Sequence, residues 1–120
     1  MRISQGMTYA LAAALVALSA RAAFAPRGAA LAYGVPIPEG TAPTPYLAVK
    51  ANRDFVLAAL LIVTASASQS ILAFALFFGA IAPAADAWIV KRHGNISGTA
   101  VHLGTVVFML GAGALAISGH

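Results

Sequence analysis

The chain has no cysteine and only three acidic residues, Glu39, Asp54 and Asp86. The first absence excludes disulfides, thiolate metal sites and cysteine nucleophiles, and it leaves the redox compartment unread. The second leaves few carboxylates for acid–base or metal chemistry. Charge of either sign is scarce, at 8% of residues, against about 25% in a soluble domain. That supply cannot cover a water-facing surface, so the surface must face lipid. Between Asp54 and Asp86 no charged residue occurs. A run that long and apolar belongs in a bilayer, where ~20 apolar residues span the hydrocarbon.

What is present agrees. The 120 residues are 61% hydrophobic, with a mean hydropathy of +0.89. The length suits one integral membrane domain, residues 1–120, since domains run ~100–200 residues. The seven Lys and Arg residues give a net charge of +4. They form no run and interleave with no aromatics, which argues against a nucleic-acid partner. Beside apolar segments they read as topology signals, with membrane lipids as the partner.

Four apolar segments follow one another, at about residues 7–24, 51–67, 70–90 and 98–118. The cluster Ser66-Ala67-Ser68-Gln69-Ser70 is the only polar interruption in the long run, and such clusters mark turns. A single helix there would reach ~45 Å at ~1.5 Å per residue, well past a ~30 Å core. A tight hairpin between the second and third segments is expected. Residues 25–50 hold Pro26, Pro36, Pro38, Pro43 and Pro45 and read as a loop. It has room for one short interfacial helix, from Arg27 to Tyr33, stopped by Gly34. The expected fold is all-α, a four-transmembrane-helix bundle with a Pro-rich loop between its first two helices. Arg2, an apolar stretch and Ala23-Phe24-Ala25 imitate a secretory signal. Pro26 after the cut, and Arg21 near the end of the stretch, favour a retained helix.

With four spans, Arg21, Arg27, Lys50, Arg53, Lys91 and Arg92 share one side, and only Arg2 lies on the other. Positive residues stay in the cytoplasm, so both termini should lie outside, in a plasma (inner) membrane. The same geometry gathers Arg21, Arg53, Asp54, Asp86 and His102 into one layer near the cytoplasmic interface. Ionisable groups within membrane segments are costly and face a bundle interior or cavity. Small residues mark inward directions: Ala82, Gly79 and Ala75 from Asp86, Ala58 and Ala65 (with Leu61) from Asp54, and Ala17 and Ala13 from Arg21. Such faces let membrane helices approach, and they also allow a homo-oligomer. Phe74, Leu76, Phe77, Phe78 and Ile81 are expected on other faces.

Four pieces carry a family resemblance. They are Ala20-Arg21-Ala22-Ala23-Phe24-Ala25-Pro26, then Ala32-Tyr33-Gly34-Val35-Pro36, then Lys50-Ala51-Asn52-Arg53-Asp54. The last is Ala85-Asp86-Ala87-Trp88-Ile89-Val90, followed by Gly94 and His102. In this order and spacing the chain resembles a family of small four-helix membrane proteins catalogued as a domain of unknown function. The resemblance implies the fold and the polar positions, and no activity.

Each candidate also has a structural reading. Arg53-Asp54 suits a helix start, with Asp54 at the positive end and Arg53 snorkelling. Arg21 is either a snorkelling anchor or the partner of Asp54 or Asp86. Asp86 and His102 could form an acid/base pair or a packing hydrogen bond. Asp86, His93 and His102 could supply three metal ligands, but nothing fixes their spacing, and no metal is expected. Trp88 reads as an interfacial belt residue, and Pro83 as a kink in the third helix. No phosphate loop, dinucleotide fingerprint or nucleophile elbow occurs, so no cofactor is expected. Three classes remain: binding or transport of a small, partly apolar ligand, which the composition favours; an intramembrane isomerase or cyclase using Asp86 and His102; and a non-catalytic accessory subunit.

Overall fold

The computed structural model describes residues 1–43 and 45–120. Among them the chain is all α, with no strand. Helix α1 runs Ile3–Phe24, and the side chain of Gln5 accepts from the Arg2 N–H at its start. It stops before Pro26, which disfavours helical backbone at Ala25. Helix α2, Pro26–Tyr33, then opens on that proline, where the missing N–H costs nothing. It ends on Gly34 in the left-handed conformation, φ 88°, as the short-helix expectation required. Helix α3 runs Pro45–Ala67, six residues earlier than the second apolar segment begins.

Ser68 is extended, and its hydroxyl accepts from the Ile71 N–H at 3.3 Å, so the expected hairpin falls within the polar cluster. Helices α4, Gln69–Gly79, and α5, Ile81–His93, follow one another with a break at Ala80. Pro83 has no N–H to offer the Gly79 carbonyl, and the ladder opens there. Asn95 caps helix α6, Ile96–Ile117, by accepting from the Gly98 N–H at 2.7 Å.

Among the described residues, three stretches are long and apolar enough to cross a membrane: Ile3–Phe24, Gln69–His93 and Ile96–Ile117. Helix α3 has the length, at 23 residues, but carries Lys50, Arg53 and Asp54 in its first half. It packs along α1 and then against α4; α6 lies against α4 and α5 and returns beside α1. The core between them is made of Ala12, Leu15, Ala58, Leu61, Leu72, Leu76, Met109 and Ala112. Small residues set the spacing. A Cβ added at Gly113 would lie 2.8 Å from the Phe77 ring, and one at Gly79 2.8 Å from Met109 Cε. Phe55, Val63, Phe74, Phe78, Ile81 and Val107 point outward, each more than half exposed. Exposed apolar area on this scale marks a membrane or partner surface.

Some inward directions differ from expectation. Ala58, Leu61 and Ala65 are buried behind Asp54 as expected, and Ala75, Gly79 and Ala82 are half-buried. Leu76, expected outside, is fully buried, because the inner row runs Leu72, Leu76, Ala80, Pro83, Ala87 and Val90 at helical spacing, with Asp86 on its flank. Ala13, Ala17 and Arg21 are exposed. The buried row of α1 is instead Ser4, Thr8, Ala12, Leu15 and Ala22.

The two ends of the molecule are chemically different. At one, Ser4 Oγ donates to the His120 carbonyl at 2.6 Å and lies 2.8 Å from Gln69 Oε1, Gln5 Nε2 donates to the Ala65 carbonyl at 2.9 Å, and the hydroxyls of Tyr9 and Ser66 pair at 3.1 Å. The side chains of this clasp are uncharged. The other end carries the ions.

Candidate functional site

The charged end is built on α3. Starting that helix at Pro45 sets Lys50 one turn before Asp54, so both side chains share its inner face. Lys50 Nζ lies 3.0 Å from Asp54 Oδ2 and 3.1 Å from Asp86 Oδ2 on α5. Arg53 grips Asp86 with both ends of its fork, Nη2–Oδ2 at 2.6 Å and Nη1–Oδ1 at 3.1 Å, and reaches Asp54 Oδ1 at 3.4 Å. Two cations and two anions therefore cancel, and every carboxylate oxygen is engaged. The side chains of Lys50, Asp54 and Asp86 are 7%, 7% and 10% exposed, against 41% for Arg53. Charges this deep are tolerated only when paired.

Tyr33 completes the cluster from α2. Lys50 Nζ sits 4.2 Å from its ring centroid, a cation–π contact. Its hydroxyl donates to the Leu18 carbonyl at 3.4 Å. Burial first, and the Asp54 charge second, push the phenol pKa up to about 12, so the hydroxyl remains a donor at neutral pH. The Tyr33 carbonyl accepts from His102 Nε2 at 3.1 Å.

That last contact depends on glycine. A Cβ at Gly34 would meet Val90 Cγ1 at 2.7 Å and Gly98 Cα at 2.8 Å, and one at Gly94 would collide with the Gly34 carbonyl. Bare backbone on both sides lets the end of α2 drop onto the α5–α6 turn, which brings the Tyr33 carbonyl to His102.

Beneath these groups lies a cavity of about 230 Å³. Lys50, Arg53, Asp54, Asp86, His102 and Tyr33 line one end, and Leu15, Leu57, Ala82 and Met109 are among the apolar groups lining the rest. Arg53, Asp54, Asp86 and His102 thus come together as expected. Arg21 does not. It is exposed, its guanidinium lies over Gly28, and among the described residues it pairs with neither Asp54 nor Asp86. Its row on α1 is exposed and faces away from α3 and α5.

Asp86 and His102 share the cavity without bonding to each other. The carboxylate is taken by Arg53 and Lys50, and the imidazole by a backbone carbonyl. Arg53-Asp54 does not open a helix, since α3 begins two turns earlier. His93 is exposed at the end of α5, apart from His102. Trp88 is 57% exposed, and Arg92 stacks over its ring at 4.5 Å, as a belt residue would. Lys50 was missed as a site residue because Pro45 reads as loop. The available signals were Pro at a helix start and the four-residue step to Asp54.

These features define a small all-α protein with helices of membrane-crossing length and a neutralised ion cluster over an apolar cavity. The chain belongs to the family described as Domain of unknown function (DUF4267), whose model matches residues 12–116. That range contains every residue of the cluster and cavity. No curated protein and no solved structure matches the chain.

Proposed function

We propose that this protein is a multi-pass membrane protein that binds a small, partly apolar molecule in the cavity beneath α2. In this reading α3 is a fourth span, giving a four-transmembrane-helix bundle. Its charges gather in one half and cancel against Asp86, which removes most of the cost of placing them near lipid. The basic residues put the charged end at the cytoplasmic side of a plasma (inner) membrane and both termini outside.

The observation that carries the reading is the cavity itself: apolar along its walls and polar at one end. Ligand sites have this composition, mostly apolar with a few placed polar groups. An acid/base enzyme built on Asp86 and His102 is less well supported, because the Asp86 carboxylate is committed to Arg53 and Lys50 and does not bond to His102. Asp86 acts here as the tie between α3 and α5, and Asp54 holds Lys50 and Arg53 in place on α3.

The test is mass spectrometry of small molecules retained by protein purified in nanodiscs. Wild type is compared with Ala82→Phe, which fills the cavity from its apolar side. A molecule enriched in wild type and lost in an equally stable variant is the expected result. Identical bulk lipid in both samples would overturn the reading.

A further inference from the structure

Two observations specify the ligand further, given the cavity reading above. The first is which polar groups at the cavity remain unused. The carboxylates of Asp54 and Asp86 are saturated by Lys50 and Arg53. Among the described residues Arg53 Nε makes no hydrogen bond and Nη1 makes one, so the half-exposed guanidinium keeps donors free. His102 Nε2 faces a carbonyl, which can only accept, so Nε2 carries the hydrogen. In the neutral ring Nδ1 is then an acceptor. Nδ1 has no partner, and no partnerless side-chain N or O atom is sealed away among the described residues. It therefore opens onto space, and His102 lines the cavity. The unused face offers donors from Arg53 and one lone pair from His102.

The second observation is what adjoins the cavity. The cavity, at about 230 Å³, falls below the ~300 Å³ at which ordinary ligand pockets begin. It shares Val101 and Thr105 with a groove of about 420 Å³ on the outside of the α1–α6 seam. Ala10, Ala14 and Gly104 make that groove shallow-walled, and Leu11 and Phe108 keep it apolar. It opens on the lipid-facing side, so the continuation of a bound molecule is a chain lying among lipid chains.

We propose that the cavity and the α1–α6 groove form one site for a long-chain carboxylic acid, with its carboxyl group between Arg53 and His102 and its chain leaving sideways into the bilayer. A carboxyl group matches the unused face because one exchangeable proton suffices for both partners. Held on the acid, it is donated to Nδ1; held on Nδ1, it is donated to the carboxylate. In either arrangement the other oxygen accepts from Arg53, and the neutral cluster is left with no net charge. A phosphate headgroup brings more negative charge than this site balances, and an amine offers Arg53 nothing to donate to.

Gly104 provides a variant that spares the fold, since a Cβ there meets nothing within 4 Å. The full chain in nanodiscs is photolabelled with a palmitic acid carrying a diazirine in its chain. Palmitic acid, methyl palmitate, octanoic acid and a palmitoyl lysophosphatidic acid are tested as competitors. Labelling is expected on the 101–108 and 10–14 segments, with palmitic acid competing at least about tenfold better than its methyl ester, a difference of ~1.4 kcal/mol. Gly104→Phe should weaken palmitic acid at least about tenfold and leave octanoic acid unchanged. His102→Phe should abolish the preference for acid over ester. Equal competition by the ester, stronger competition by the lysophosphatidic acid, or indifference to Gly104→Phe would each overturn the proposal. Should wild type retain some other molecule that Ala82→Phe releases, while palmitic acid fails to compete, the acid is wrong and the cavity reading stands. If nothing is retained and nothing labels, both fall.

Discussion

The two ends of this helical protein solve the same problem with different chemistry. Each must join α1, α3, the α4–α5 stretch and α6 where the chain turns. One end does it with neutral side chains: Ser4 reaches Gln69 and the main chain of His120, and Gln5 reaches the Ala65 carbonyl. The other ties α3 to α5 with Lys50, Arg53, Asp54 and Asp86, mutually neutralised and, Arg53 apart, buried, and reaches α1 and α6 through the Tyr33 hydroxyl and carbonyl. The neutral end carries an open apolar groove beside Ser70, Phe77 and Ile117, and the charged end has a more enclosed cavity under it. Joining helices does not require ions, as the neutral end demonstrates. Ions at the other end set strong donors beside an apolar space, which hydroxyls and amides alone would do less well. On the reading proposed above, the charged end is the one that receives a ligand.

Substitutions can break or sharpen that contrast. The largest effect is expected from Asp86→Ala, which strands Arg53 and Lys50 over the cavity. Removing one partner of a buried pair costs about 3–5 kcal/mol, read as a fall in thermal unfolding temperature in detergent. If the ions are mere ties, Lys50→Met combined with Asp54→Leu will keep stability and ligand retention alike. If they serve the cavity, that double variant will be stable and empty. Next comes Gly34→Ala. A left-handed non-glycine residue costs about 1–3 kcal/mol, and its Cβ also strikes Val90 and Gly98. Lower stability together with loss of whatever the cavity holds is expected, measured by unfolding and by mass spectrometry of the retained molecule.

At the neutral end, Ser4→Ala and Gln69→Ala should each cost about 0.5–1.5 kcal/mol, the worth of an ordinary hydrogen bond, and leave retention untouched. An effect on retention would mean that the two ends are coupled. The smallest effect is expected from Arg21→Gln. Stability should move by less than about 0.5 kcal/mol, as for surface positions generally. A large shift would bring Arg21 back into the cluster from which the geometry excludes it.

Much of this was legible residue by residue. The charge-free run between Asp54 and Asp86 announced membrane-length helices, Ser66–Ser70 marked the hairpin, and Gly34 marked the end of α2. Arg53, Asp54 and Asp86 were recognisable because charge is so rare here that each charged residue stands out. The misread features share a cause: they depend on which face of an alanine-rich helix turns inward. Helix α1 is apolar all round, so its periodicity gives no direction, and the Arg21 row resembled the Ser4–Thr8–Ala12–Leu15 row that is in fact buried. Lys50 was hidden by a proline that starts a helix where several prolines suggested loop. The partner of His102 depended on a long-range approach between Gly34 and Gly98, and nothing local to His102 encodes it.

The meeting of Gly34, Gly94 and Gly98 carries one more consequence. Where the cavity lies is set by main chain touching main chain, with no side chain between. On the binding reading, what the cavity prefers would be set by a separate group of residues, among them Leu57, Ala82, Thr105 and Met109. Location and preference are therefore independent in this molecule. An engineer could vary the second group broadly, to fit new guests of different length or girth, while the glycines keep the vestibule in register with Arg53 and His102.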